Sequence, residues 1–274
     1  MSILKTVNDS FLIRAGRFVL KHVFKNRRYM IAYGLAYFQK DYHIPVSFYS
    51  GQEILALIQA GKSIVRYGDG EVALMNFRSL AFQRFDPTLR EGLFRSMKGS
   101  ASDAYIVGIN ERAFVSNEIM RNNKTLQLLL PQKVYVDMYF QKNKKYMDAS
   151  FFYRNENVNA YLLPALEGRE IIFVTRKETI ESIKQNPKYP YLPFTHFIET
   201  KERDAFDDYE VICKQVGDVI SQLKENNRKP LVIAAFGAGT KVFAYEYGMK
   251  GVQVLDIGTG IEILYQDKRI DGIL

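Results

Sequence analysis

Short, uninterrupted apolar runs recur along this chain, and each is followed by a stretch with helical spacing. Ile171-Ile172-Phe173-Val174, Leu231 to Phe236 and Val252 to Ile257 are the clearest, with Ser63 to Tyr67 and Tyr105 to Ile109 beside them. A strand that is apolar at consecutive positions buries both of its faces, the condition of strands in a parallel sheet covered by helices on each side. Between the runs, Gly51 to Ala60 reads as a helix that turns Ile54, Leu55, Leu57 and Ile58 inward and ends at Gly61. Pro87 to Lys98 reads as a helix with proline in its first turn, and Glu111 to Leu130 as a helix stopped by Pro131. Val134-Tyr135-Val136 reads as a further strand. Asp204 or a neighbour caps a helix carrying Tyr209, Ile212, Val216, Val219, Ile220 and Leu223 on one side. The alternation predicts an α/β, Rossmann-like domain with a mainly parallel sheet and helices on both faces. No repeat or long linker divides it, so residues 46–274 are expected to be one domain, behind a basic helical extension over residues 1–45.

Charge narrows the partners. The net charge is +8, but residues 1–40 hold eight basic residues against Asp9 alone, which leaves the rest of the chain nearly neutral. A nucleic-acid partner needs a basic face on the folded body, so none is expected. Arg14, Arg17, Lys21, Lys25 and Arg28 follow one another at three, four, four and three residues, one stripe of a helix. Phe11, Leu12, Ala15, Phe18, Val19 and Val23 fall opposite. That is the pattern of a basic amphipathic helix, and residues 11–28 are read either as meeting an anionic membrane surface or as packing on the domain with a solvated basic side. No apolar run reaches the roughly 20 residues that span a bilayer, and charges interrupt any secretory signal. The expected location is cytoplasmic, peripheral at the inner face of the membrane. The single cysteine, Cys213, excludes an internal disulfide and sits in an apolar helical stripe, while the three histidines show no metal-ligand spacing. No Gly-x-Ser-x-Gly elbow is present.

Three constellations can carry chemistry. Arg66-Tyr67-Gly68-Asp69-Gly70-Glu71 follows a strand, at the edge where open α/β sheets bind ligands. Its two carboxylates, two residues apart, can share a hard divalent cation, and Arg66 can contact phosphate; the plain reading is an Asp-Gly turn with solvated charges. Ala235-Phe236-Gly237-Ala238-Gly239-Thr240 is a strand, a glycine turn and a helix start, where free amides favour an anion; glycine needed only for a tight connection explains it equally well. Leu255-Asp256-Ile257-Gly258-Thr259-Gly260 imitates a methyltransferase cofactor loop, but too little chain follows for the sheet such an enzyme builds after it. Asp256 and Glu262 are therefore taken as acidic groups at the same crevice. Phe152-Tyr153-Arg154-Asn155 and Thr175-Arg176-Lys177 add positive charge nearby, though solvated surface charge accounts for most such clusters.

Together, the Arg66–Glu71 turn and the closing Leu231–Glu262 stretch resemble the GT-D glycosyltransferase family, over about residues 47 to 265. The resemblance implies a Rossmann-like GT-D fold, a nucleotide-diphosphate-sugar donor with UDP-sugar foremost, and a glycan, glycoprotein or lipid-linked acceptor. It implies Mn²⁺ or Mg²⁺ held with help from Asp69 and Glu71. On this reading Arg66, Tyr67, Gly68, Gly70, Arg176, Gly237, Gly239 and Thr240 line the donor, and Glu262 or Asp256 acts as base toward the acceptor hydroxyl. Two other readings compete: a noncatalytic binding subunit of a surface-glycan assembly, and a different Rossmann-like nucleotide enzyme centred on Gly237.

Overall fold

The computed structural model describes residues 26–260 apart from 101, 142 and 186–193. Its spine is an eight-stranded sheet in the order β1-β4-β3-β2-β8-β7-β5-β6, with every pairing parallel. The strands are β1 (Ser47–Phe48), β2 (Ser63–Tyr67), β3 (Tyr105–Ile109), β4 (Lys145–Asp148), β5 (Glu170–Arg176), β6 (Phe194–Thr200), β7 (Pro230–Ala235) and β8 (Val254–Asp256). The apolar runs divide between the two faces with period two. Val65, Val107, Ile172, Val174, Val232 and Val254 enter one core. Ile64, Ile106, Ile171, Phe173, Leu231, Ile233 and Leu255 enter the other. Helices cover both: α4 (Pro87–Gly99), α6 (Leu126–Tyr139), α8 (Tyr209–Glu225) and α9 (Gly239–Met249) on the first, α2 (Gly51–Gln59) and α7 (Lys177–Gln185) on the second.

From β2 the chain steps outward through β3 and β4, and its second half returns to β2 only at β8. The β2–β8 seam is thus the topological switch point, where open α/β sheets bind their ligands. The seam is thin in backbone pairing: one residue pair, Ile64 with Leu255, against five between β2 and β3. Side chains supply the rest. Val254 N donates to Ser63 Oγ at 3.1 Å, Gln253 Nε2 to the carbonyls of Ile58 and Lys62 at 2.7 and 2.9 Å, and Arg66 N to Asp256 Oδ2 at 3.1 Å.

Three sequence expectations are corrected. Val134-Tyr135-Val136 is not a strand but the interior of α6, which runs straight through Pro131. Leu129, Leu130, Val134 and Tyr135 are all buried there, and that burial outweighs the few kcal/mol proline costs inside a helix. The expected single helix from Glu111 to Leu130 is three pieces: a 3₁₀ turn at Glu111–Phe114, α5 (Asn117–Asn122) capped by the Ser116 hydroxyl, and the start of α6. Lys124, at φ +57°, breaks the chain between them. The N-cap position of α8 falls to the neighbouring Asp208, which makes no side-chain cap bond, and not to Asp204; Asp204 takes a left-handed conformation and accepts from Arg84 N at 2.6 Å, tying two loops together.

The described end of the N-terminal region, α1 (Arg27–Phe38), packs on α6. Tyr29 lies with its ring centroid 4.7 Å from that of Tyr135, and Asn117 Nδ2 donates to the carbonyls of Ala36 and Gln39. The amphipathic pattern of residues 11–25 lies outside the described residues. Among the described residues, no helix is long and apolar enough to cross a membrane.

Candidate active site

The seam opens at the carboxyl ends of its strands into a cavity of about 520 Å³. Its walls come from the end of β2 and the helix start that follows it (Arg66, Gly68, Asp69, Gly70, Glu71), the turn after β7 (Phe236, Gly237) and the turn after β8 (Gly258, Thr259). Ser150 and Tyr153 add to the walls after β4, and Arg176, Lys201 and Glu202 at the ends of β5 and β6. The turn that holds the Asp-x-Glu pair and the glycine turn near the chain's end therefore face one space.

Beneath that space lies a buried, charge-balanced quartet. Asp256 is fully buried, with Oδ1 3.2 Å from Arg66 Nη2 and Oδ2 3.4 Å from Lys241 Nζ. Lys241 reaches the other way to Glu71 Oε1 at 3.2 Å. The second oxygen of Glu71 accepts from the Gly68 amide at 2.8 Å, closing the start of α3 (Asp69–Met75). Arg66 also donates Nε to the Asp256 carbonyl at 2.9 Å and Nη1 to the Ala149 carbonyl at 2.6 Å. Burial alone would discharge these groups. Burial opposes the Asp256 carboxylate, but Lys241 and Arg66 hold its pKa below the ordinary value. Burial likewise opposes the Lys241 ammonium, but Asp256 and Glu71 hold its pKa above that of a free lysine. Tyr153 lies under the Arg66 guanidinium, 5.3 Å from its ring centroid, and that charge lowers the phenol's pKa against the effect of burial. Gly258 makes this approach possible: at φ +54°, a Cβ there would fall 1.9 Å from Arg66 Nη2.

The expected site residues separate accordingly. Arg66, Gly68, Asp69, Gly70, Glu71, Arg176 and Gly237 line the cavity. Tyr67, Gly239 and Thr240 do not. Tyr67 points into the core, where its hydroxyl donates to Ser96 Oγ at 3.1 Å. Gly239 packs against Phe236 and Phe206, and Thr240 Oγ1 accepts from Phe236 N at 2.9 Å. Asp256 is corrected as a base: both its oxygens are bonded to cations and it is sealed from the cavity. Glu262 lies outside the described residues. Arg154 is exposed and does not line the cavity, and Lys177 pairs with Glu181 at 3.8 Å. Lys241 and Lys201 were not anticipated; a lysine two residues beyond the Gly237-Ala238-Gly239 turn was the available signal for the first.

For a divalent cation the two acids are unequal. Asp69 is exposed in the first turn of α3 and lines the cavity, whereas both oxygens of Glu71 are engaged. Among the described residues no group of three or more His, Cys, Asp or Glu is placed to hold a metal. A magnesium-like ion needs only one or two carboxylates when substrate phosphates complete its shell. The residues present fit that arrangement, Asp69 being the carboxylate of the pair whose side chain is exposed at the cavity.

The family model described as glycosyltransferase GT-D fold matches residues 64–266, which span β2 through β8 and the cavity's principal turns. The class is therefore glycosyltransferase. The chain belongs to the GT-D glycosyltransferase fold family. It is similar to the solved structure of a glycosyltransferase (DUF1792) from Streptococcus sanguinis, with 22% identity, 84% of this chain and 88% of that chain covered, and a TM-score of 0.65. It is similar also to a selenomethionine-substituted domain of unknown function 1792, at 19% identity, coverage of 90% and 88%, and a TM-score of 0.63. A third relative, a domain of unknown function 1792 described as having a distinct glycosyltransferase fold, gives 19%, 90%, 88% and 0.61. At these identities the structural likeness speaks for the fold. No curated protein matches the chain.

Proposed function

We propose that this transferase takes its sugar from a nucleotide-diphosphate donor, UDP-sugar foremost, seated in the cavity over the β2–β8 seam. The acceptor is a glycan, glycoprotein or lipid-linked glycan. The observation that carries the reading is the convergence of the Gly68–Glu71 and Gly237 turns on one cavity with Arg66, Lys241, Arg176 and Lys201 in its walls. A departing nucleoside diphosphate gains negative charge as the glycosidic bond breaks, and fixed positive groups aimed at it supply much of the catalysis. Arg66 is locked by its bonds to Asp256 and Ala149 and Lys241 by its two acids, so both act from fixed positions. Arg176 and Lys201, at the strand ends, contact the phosphates more directly. Gly237 lets the nucleotide approach the backbone before α9.

Asp69 would hold Mn²⁺ or Mg²⁺ beside the donor, with Glu71 behind it as the second carboxylate of the pair. When bound, the cation neutralises charge on the leaving group. Glu71 in addition keeps Lys241 in place. With Asp256 sealed, Glu262 remains the acidic residue assigned to the acceptor hydroxyl. The basic segment 11–28 is assigned to an anionic membrane surface, which places the protein at the inner face of a membrane.

The test is calorimetric titration of UDP and a panel of nucleotide sugars with and without Mn²⁺, alongside donor hydrolysis. Wild type is expected to bind and hydrolyse at least one donor with metal dependence, and Asp69→Asn to lose both by tenfold or more. Full metal-dependent turnover in Asp69→Asn removes Asp69 from its role. A folded wild-type protein that binds no nucleotide of the panel removes the donor site.

A further inference from the structure

We infer that the outward face of α1 is a membrane-inserting ridge whose occupant is the apolar edge of an anionic lipid surface. α1 is apolar on two sides. Tyr29 and Ala36 turn inward onto α6, whereas Met30, Ile31, Leu35 and Phe38 turn outward, exposed by 38%, 62%, 63% and 82%. Arg27, Ile31, Leu35 and Phe38 are spaced by four, four and three residues, which on a helix is one stripe. Val115 and Ile119 add to the exposed apolar surface beside its carboxyl end, where Asn117 is bonded to the Ala36 and Gln39 carbonyls. Singly exposed apolar side chains need no explanation, but a contiguous row of large ones marks an interaction surface.

Charge decides the occupant. Arg27 and Arg28 are exposed at the amino end of the same helix, and the first forty residues hold seven of the chain's eight net positive charges. Two copies meeting face to face would bring those charges together, whereas anionic headgroups attract them and the acyl boundary accepts the side chains of the ridge. The inference deepens the assignment of residues 11–28 to a membrane and rests on that assignment. It adds that the anchor extends through Phe38 and is braced on the enzyme body. α6 carries Tyr135 against α1 and Gln132 into the wall of the donor cavity, so one helix separates ridge from site.

The chain has no tryptophan, so Phe38→Trp makes a single fluorescent reporter in the full-length protein. Vesicles of phosphatidylcholine with one-quarter phosphatidylglycerol are expected to shift its emission to the blue, and phosphatidylcholine alone much less. In sedimentation, the Ile31→Ser/Leu35→Ser/Phe38→Ser protein is expected to lose at least about tenfold in vesicle partitioning, given three large side chains withdrawn from the boundary. Its melting temperature should stay at wild type because the three positions are exposed. An Arg14→Gln/Arg17→Gln/Lys21→Gln/Lys25→Gln protein separates the two claims. If it loses binding while the triple-serine protein binds as wild type, the basic segment is the anchor and the ridge is not. If wild type ignores anionic vesicles, both fall. A wild-type dimer in light scattering that the triple-serine substitution dissolves gives the face to a second copy and overturns the inference. An unshifted emission from the Phe38→Trp protein on anionic vesicles overturns it as well.

Discussion

Lys241→Met tests whether the quartet under the cavity is what holds the site. Methionine approximates the lysine's length but removes its charge, leaving Glu71 with only the Gly68 amide and Asp256 with only Arg66 and its backbone amide. At 3.2 Å, a pair of unit charges is worth about 5 kcal/mol at an effective dielectric of 20. Desolvation offsets part of that in the intact pair, but removing one partner exposes it, and the usual cost is about 3–5 kcal/mol. For a domain of this size that is a fall in melting temperature of about 6–20 °C. Urea unfolding near neutral pH reads the free energy. The companion Lys241→Met/Glu71→Gln protein should recover at least about 1 kcal/mol of the loss, because the orphaned carboxylate is now a neutral amide. A single-substitution cost under about 1 kcal/mol, with an additive double, would refute the idea that Lys241 compensates both acids.

Two further outcomes follow from individual residues. Gly258→Ala should cost about 2–4 kcal/mol and weaken nucleotide binding, measured by urea titration and calorimetry. The left-handed backbone alone penalises alanine by about 1–2 kcal/mol, and the new Cβ drives Arg66 off Asp256. The second concerns Lys133, buried in α6, which donates to the Tyr42 carbonyl and, at 2.8 Å, to that of Val115; burial lowers its pKa to about 8. Between pH 8 and about 10.4 the unfolded chain keeps this proton and the folded chain sheds it, so stability rises with pH across that window by up to about 3 kcal/mol. In the difference between wild type and Lys133→Met, followed by urea unfolding from about pH 7.5 to about pH 10.5, that rise should stand out; a flat difference refutes it.

The central strands were legible because they are buried on both faces and therefore apolar at consecutive positions. Ile171–Val174 and Leu231–Phe236 could be little else. The flanking strands were not. β1 has two residues, β4 begins at the exposed Lys145, and β6 mixes Thr195, His196 and Glu199 with its apolar positions. α6 was misread because a proline and a Val-Tyr-Val triplet both point away from helix, and only its packing against α1, α3 and the first core decides otherwise. At the site, glycine spacing located the turns correctly. It could not tell which acid is free to meet a ligand: Asp69 and Glu71 are two residues apart, yet one lines open space and the other is claimed by Lys241, 170 positions downstream in the chain. Nor could it show Asp256 sealed between two cations.

The thin seam between β2 and β8 has a consequence for how such an enzyme can diversify. Few main-chain bonds stitch its halves together, and at the carboxyl ends of the two strands the polar groups that complete the stitching, Arg66 and Asp256, lie under the proposed donor cavity. A change of sugar preference that altered Arg66, Asp256 or Lys241 would loosen the joint of the whole sheet. Novelty in donor choice should therefore accumulate at the rim, around Arg176, Lys201 and Glu202, where side chains can be exchanged without unfastening the scaffold.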